Sequence, residues 1–519
     1  MILTGICMKR QSRSLRCLVA TLYLVCICGR LTAATKSWDG SDGDWNNPAK
    51  WVPAGVPAID DHISVTNGNV SLSSPVVIAG TLTWKGGSLS GNELRIQAAA
   101  ALTLSGSDDK LLTEVVLVNE GTVNWQGGRL VAYATGYSQR VYITNLAGGT
   151  FHVLTGANTA QGYTWSGYGV PEFLFHNAGT LLKDTVTATN QFDGLRVINT
   201  GLIDLKSGPV QFNATLENQG EIRLGQDLVW TLTTDTTFRA GSRLVAADGN
   251  QVLYQSGSFT FEPGFFFSPT LTNRVTGTCH FLGTINLSHF ELTEGAITGG
   301  FTNSGTLTWT GGSLNGAEFY NRTNALLEVS GDADKVLVHS LVLNEGTVNW
   351  RGGRLVAYAT GYSQRVYITN FAGGTFHVLT GANTAQGYTW SGYGVPEFLL
   401  HNSGQLIKLD NSTNHLSGLL VINDGKIAVN AGALSFDGGL ENHGEVYGNV
   451  GLRPVGWVNG LFVLRLLDVR TNHYAIKVTT DFQDWRILFT TNTSGTTLDF
   501  ADPESVGSPH RFYQAVLIP

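Results

Sequence analysis

The chain is predicted to be all-β: a right-handed parallel β-solenoid (β-helix) with an internal duplication, followed by a small C-terminal β-sandwich-like module. Three observations predict it. A small residue followed by an alternating apolar triplet recurs as GTLTW at 80, AALTL at 100, GTVNW at 121, GTFHV at 149, GTLLK at 179, GLIDL at 201 and GEIRL at 220, with spacings of 20, 21, 28, 30, 22 and 19 residues. Gly supplies 64 of 519 residues and Pro 13, and no helical periodicity intervenes. The stretch RLVAYATGYSQRVYITN occurs twice, at 129–145 and at 354–370.

A unit of about 20 residues cannot bury its own apolar face, but stacking such units at about 4.8 Å pairs every strand and closes a core. Gly permits the positive φ needed at corners, and Asn tolerates it nearly as well. Asn recurs ahead of Gly in NEG, HNAG, INTG and ENQG, and again in TNSG, HNSG, INDG and ENHG. Asn at equivalent corners is expected to stack into a hydrogen-bonded ladder. A propeller or a string of sandwiches would need hairpins with paired Asn-Gly turns, which are scarce.

Residues 1–34 read as a signal peptide. Lys9, Arg10, Arg13 and Arg16 precede the apolar run CLVATLYLVCICG, and LTAA follows with small residues suited to cleavage near Ala33 or Ala34. Thirteen apolar residues are too few to span a bilayer of about 30 Å. Cys7, Cys17, Cys26 and Cys28 leave with the leader, so Cys279 remains alone and no internal disulfide is expected. The leader carries five Lys or Arg and no acid, so the net charge of -7 becomes -7 - 5 = -12. That charge argues against nucleic acid, whose binding depends on neutralising phosphates.

Residues 35–60 read as an N-terminal cap, with Trp38, Trp45 and Trp51 as a hydrophobic lid on the first coil. The solenoid is expected over 61–450, with duplicated units at 80–224 and 305–448. Between 119–179 and 344–404 only four of 61 positions differ. Two successive coils of each unit take 28 and 30 residues instead of about 20, so each carries an outward loop of 8 to 10 extra residues. Loops leaving neighbouring coils at one corner would form a single patch, where solenoids place recognition. Its candidate residues are Arg129, Tyr133, Tyr137, Arg140, Tyr142, Tyr163, Trp165 and Tyr168, repeated as Arg354, Tyr358, Tyr362, Arg365, Tyr388, Trp390 and Tyr393 in the second unit.

Two readings of the patch stand side by side. Tyr and Trp faces stack on sugar rings while Arg donates to hydroxyls or carboxylates, which is glycan binding. Alternatively the loops fold on each other and bury the rings, with Tyr142 simply a strand residue. Catalysis is not expected. His152, Glu172 and His176 lie nearby and Arg140 suits a uronate, but neither loop holds the close carboxylate pair that glycoside hydrolysis uses. No metal or cofactor is expected. Asp42, Asp44 and Asn46 begin like a calcium loop, yet the twelfth position is Pro53 instead of Glu. Asp108 and Asp109 in GSDDK, and Asp332 and Asp334 in GDADK, read as solvated turns.

Residues 451–519 form the C-terminal module, with Trp485, Phe500, Phe512 and Tyr513 expected inside. The motifs SWDGSDGDWNNPAKWVPAGVPAIDD at 37–61 and GTLTWxGGSL in the repeats resemble autotransporter-like, adhesin-like exported solenoid proteins of environmental Gram-negative bacteria. The segment from 474 to 516, with TDFQDW, FADP and RFYQAV, resembles a small module found on many exported proteins of the same bacteria. The resemblance implies an exported, non-enzymatic surface or adhesion protein whose partner is an extracellular polysaccharide or an envelope component. A β-helix polysaccharide lyase or hydrolase, or a structural envelope protein, are the alternatives.

Overall fold

The computed structural model describes residues 33–448, 452–467, 473–492, 497–507 and 510–518. The leader reading falls on residues 1–32, outside the described residues. No helix among the described residues is long and apolar enough to cross a membrane.

The chain winds as a parallel β-solenoid of three strands per coil. In one coil these are Thr81–Trp84, Gly87–Gly91 and Glu93–Ile96; in the next, Ala101–Leu104, Lys110–Thr113 and Val116–Asn119. Each strand pairs in parallel with its counterparts one coil below and above, as Leu82 does with Ile63 and Leu102. Alternate residues point inward, so Leu82, Trp84, Leu102, Leu104, Val123 and Trp125 all lie in the core at 0–1 % exposure.

The Asn-x-Gly signature has two stacked components. In most coils the third strand carries an Asn, buried in all but the last, that donates its Nδ2 to the Oδ1 of the Asn one coil on. The run is Asn119, Asn145, Asn177, Asn199 and Asn218, each step 2.7 Å. A second run joins Asn303, Asn321, Asn344, Asn370, Asn402, Asn423 and Asn442 at 2.6–2.8 Å. The Gly that follows sits where successive coils approach closely. A Cβ on Gly201 would lie 2.2 Å from the carbonyl oxygen of Gly179, and one on Gly220 would lie 2.1 Å from that of Gly201. Gly201→Ala must push two coils apart, and a loss of about 3 kcal/mol is expected in chemical denaturation; a change under about 0.5 kcal/mol would contradict the packing.

Between the two runs the ladder gives way to a phenylalanine stack. Asn218 is in register with Phe238, which stacks on Phe261 at 4.9 Å and 6°, and Phe281 follows at 5.2 Å. Here the corners lose their loops. Thr278–Leu292 and Ala296–Trp309 run through a corner as single strands, with register shifts at Phe281/Ile285 and Leu287/His289.

This seam rotates the second unit. One lane passes through Gly87–Gly91, Lys110–Thr113, Leu130–Ala134, Thr159–Tyr163, Asn190–Phe192, Val210–Phe212, Val229–Leu232, Gln251–Tyr254, Thr272–Val275, residues 290–292 and residues 307–309. Residues 307–309 are the repeat of 82–84, which occupy a different lane from 87–91. The 225-residue offset therefore spans ten coils and one further face, or about 50 Å along the rod.

Both ends are covered. Trp38, Trp45 and Trp51 are buried and meet edge to face, with ring centroids 5.0 and 4.8 Å apart. Thr35–Trp38 pairs in parallel with the first coil and antiparallel with Trp51–Val52. At the other end the strand Glu445–Gly448 lies against Phe512–Ile518 of the C-terminal module. That module has two three-stranded antiparallel sheets around Leu464, Leu466, Tyr474, Ile476 and Phe500. Of the residues expected inside, Phe500 is buried and Tyr513 packs against the core. Trp485 is half-buried, and Phe512 lies on the surface against Phe482, with ring centroids 3.7 Å apart.

Candidate functional site

The two long coils of each unit send their loops out of the same corner. Residues 135–139 join Leu130–Ala134 to Arg140–Asn145, and residues 164–171 join Thr159–Tyr163 to Glu172–Asn177. The flanking strands pair in parallel, with Tyr133 opposite Gly162 and Arg140 opposite Glu172. The loops must therefore lie side by side.

Each loop is held by a glutamine that composition and spacing did not single out. Gln139 is buried, and its Oε1 accepts from Thr135 N at 2.6 Å and Gly136 N at 3.1 Å, closing the first loop on itself. Gln161 Nε2 donates to the Pro171 carbonyl at 2.7 Å across the second loop. Ser138 and Gly169 adopt the left-handed conformation at φ 55° and 74°. A single turn of 3-10 helix, Ser166–Tyr168, places the Trp165 ring over Gly167, where a Cβ would come within 2.3 Å of the indole.

Three of the predicted aromatics meet. Tyr137 and Tyr168 have ring centroids 5.0 Å apart, Trp165 and Tyr168 5.2 Å, and Tyr137 and Trp165 6.2 Å, all edge to face. Mutually perpendicular rings favour one another electrostatically and hold each other still. The cluster is not buried: Tyr137 remains 65 % exposed and Trp165 55 %. The second unit builds the same arrangement from Tyr362, Trp390 and Tyr393, with centroids 5.0, 5.2 and 6.2 Å apart.

A polar rim adjoins each cluster. Arg140 lies 3.5 Å from Glu172, whose carboxylate also accepts the Tyr142 hydroxyl at 2.8 Å. Arg365, Glu397 and Tyr367 repeat this at 3.3 and 2.8 Å. The carboxylate raises the Tyr142 and Tyr367 hydroxyls above the ordinary tyrosine range, because the hydrogen bond favours the neutral phenol. Tyr142 is a half-buried strand residue, yet its hydroxyl belongs to the rim.

The remaining predicted residues divide. Tyr163 and Tyr388 are exposed at the root of the second loop. Tyr133 and Tyr358 lie flat across Gly162 and Gly387, and the Tyr358 hydroxyl donates to the Tyr388 carbonyl at 2.8 Å. Arg129 and Arg354 do not reach the clusters by any contact in the structure. Each forms a two-pronged ion pair at the opposite end of its strand, Arg129 with Asp109 at 3.0 and 2.6 Å and Arg354 with Asp334 at 2.9 and 2.6 Å. The guanidinium holds the Asp109 carboxyl below the usual carboxylate range. GSDDK and GDADK are thus more than solvated turns. Lys110 and Lys335 point inward from them, Lys110 Nζ donating to the carbonyls of Asp108, Gly127 and Gly106 at 2.7, 2.9 and 3.2 Å. Asp42 and Asp44 also serve corners, accepting from Asn69 N at 2.9 Å and Asn46 N at 2.8 Å.

The clusters do not face the same way. The first leaves the corner between the second and third lanes of its unit. The seam moves the second unit on by one face, so its cluster leaves the next corner round the rod. Comparison with known protein families, characterised proteins and solved structures finds no match. What the molecule itself defines is a parallel β-solenoid presenting one rigid, half-exposed aromatic cluster twice.

Proposed function

We propose that the protein is an exported, non-enzymatic surface or adhesion protein that binds extracellular glycan through Tyr137, Trp165 and Tyr168 and their repeats Tyr362, Trp390 and Tyr393. The observation that carries this reading is the exposure of Tyr137 and Trp165, above half for each ring, in a cluster whose geometry is fixed by two stapled loops. Rings placed there only to cover the coil would be buried. Preformed apolar surface beside a few fixed polar groups suits sugars, which offer C–H faces to rings and hydroxyls to Arg140 and Glu172. Glu172 is engaged by Tyr142 and Arg140, which favours a binding role over acid–base chemistry.

The test is a glycan array followed by calorimetry. The variant Tyr137→Ala, Trp165→Ala, Tyr362→Ala, Trp390→Ala is expected to bind its best array glycan about 100-fold more weakly while unfolding at the same temperature. Unchanged binding would make the clusters structural. Release of reducing ends or unsaturated uronates by the unmodified protein would replace this reading with the enzymatic one.

A further inference from the structure

The outer face of the seam carries a groove that the repeat pattern does not contain. It has a volume of about 360 Å³ and is lined by Thr284, Gly300 and Thr302 on two coils and by Glu318, Tyr320, Arg322 and Glu345 beyond them. Its floor exists because Gly300 stands where a side chain would project. The position has room: a Cβ there would meet nothing closer than 3.9 Å.

The corresponding place in the first unit is crossed by an arginine. Arg95, the counterpart of Tyr320, bridges Glu93 at 2.8 Å and Glu120 at 2.5 Å. In the second unit Tyr320 takes that place, its hydroxyl bonded to Glu345, and Thr323 Oγ1 donates to the same carboxylate at 3.2 Å. Glu318 is exposed on the groove's near side, and the exposed Arg322 guanidinium lies 5.9 Å from the centre of the Tyr320 ring.

The groove shares a face with the second aromatic cluster. Glu318 is in register with Leu341, and Leu341 with Tyr367 of the polar rim. Two coils, about 10 Å, therefore separate the groove from the rim, and half-buried Leu341 and Leu343 point outward between them. The loop carrying Tyr362 leaves from the strand end on the Glu318 side.

We infer that this groove is a further subsite of the second cluster for a neutral, hydroxyl-rich glycan chain, so that the two clusters, identical in their own residues, bind unequally. This rests on the glycan reading of the clusters. Carboxylate acceptors, the hydroxyls of Thr284, Thr302 and Tyr320 and one guanidinium donor match sugar hydroxyls, whereas two carboxylates against one guanidinium disfavour a polyuronate.

The experiment titrates the full chain with cellohexaose, mannohexaose and xylohexaose, with hexagalacturonate as the acidic control. Tyr137→Ala with Trp165→Ala leaves the second cluster; Tyr362→Ala with Trp390→Ala leaves the first. The former is expected to bind a neutral hexasaccharide about 10-fold more tightly than the latter. Adding Gly300→Leu, which fills the groove, should remove that advantage. Equal affinity of the two variants, or no effect of Gly300→Leu, overturns the inference while leaving the glycan reading intact. Tighter binding of hexagalacturonate, or no binding of any neutral hexasaccharide, also overturns it. Binding that survives loss of both clusters refutes the glycan reading of the clusters.

Discussion

Asn177→Ala is expected to destabilise the solenoid by about 2–6 kcal/mol, a larger loss than from any surface substitution. Asn177 accepts from Asn145 Nδ2 at 2.7 Å and donates to Asn199 Oδ1 at 2.7 Å and to the Leu202 carbonyl at 2.9 Å, and the three asparagines are fully buried. Truncation strands the buried Asn199 Oδ1, at about 1–3 kcal/mol, and removes one hydrogen bond each from the Leu202 carbonyl and from Asn145 Nδ2, which keeps the Gly149 and Thr180 carbonyls at 3.2 Å, at about 0.5–1.5 kcal/mol apiece. Because every coil touches only its neighbours, the damage stays local and divides the stack. Urea denaturation should therefore become biphasic, and hydrogen exchange should accelerate first in the coils on either side of residue 177. Asn218→Ala is the control. The ladder ends there against Phe238, and Asn218 passes its proton only to the Gly220 carbonyl at 3.2 Å, so a smaller loss is expected. Equal losses at both positions would mean that the ladder is not the source of the stability.

Much of this ladder was legible in the sequence. The 19–22-residue spacing of GTLTW-like triplets locates the strands, and Asn preceding Gly locates the corner, because only a small residue fits where one coil's carbonyl lies over the next. The side-by-side loops were equally legible, since coils of 28 and 30 residues must eject their surplus. Three features were not. The ring cluster depends on which way Trp165 turns, and that is decided by Gly167 beneath it and by Gln161 bonding to Pro171, pairings that no periodicity encodes. Arg129 looks like part of the loop patch by proximity in sequence, yet a strand separates it from the loop and Asp109 on the preceding coil captures it. The rotation of the second unit arises where Thr278–Leu292 runs through a corner without a break, in the stretch where the Asn-x-Gly rhythm lapses and phenylalanines replace it.

The rotation bears on what two clusters can do. Ligand binding at two sites about 50 Å apart gains affinity only if one chain can reach both. Clusters on successive corners require that chain to pass round the rod, so a stiff polymer would engage one cluster and leave the other for a second polymer. On the proposed glycan reading, duplication would serve cross-bridging between chains more readily than tighter hold on one.

Lys183→Met is the second substitution with a large expected effect, and its signature is in pH. Lys183 is buried, its ammonium donating to Asn190 Oδ1 and to the carbonyls of Ala188 and Pro209. Burial without a carboxylate partner pulls the ammonium down from 10.5 to about 8. Below pH 8 the group is charged in both folded and unfolded chains, and the folded state bears the whole desolvation cost. Between about pH 8 and 10.5 the unfolded chain holds the proton and the folded chain does not, so this residue's contribution makes stability rise with pH, by about 3 kcal/mol across the window. The buried Cys279 thiol opposes it, since burial keeps the thiol protonated and stability is lost as pH rises past 9. The difference between the unmodified protein and Lys183→Met removes that shared contribution. At pH 7 the variant strands three acceptors but is relieved of a buried charge, for a net loss of about 2 kcal/mol, and the gap should widen to about 5 kcal/mol by pH 10. Denaturation at both pH values measures it, and a gap that stays constant would show that Lys183 keeps its proton through this range in the folded chain.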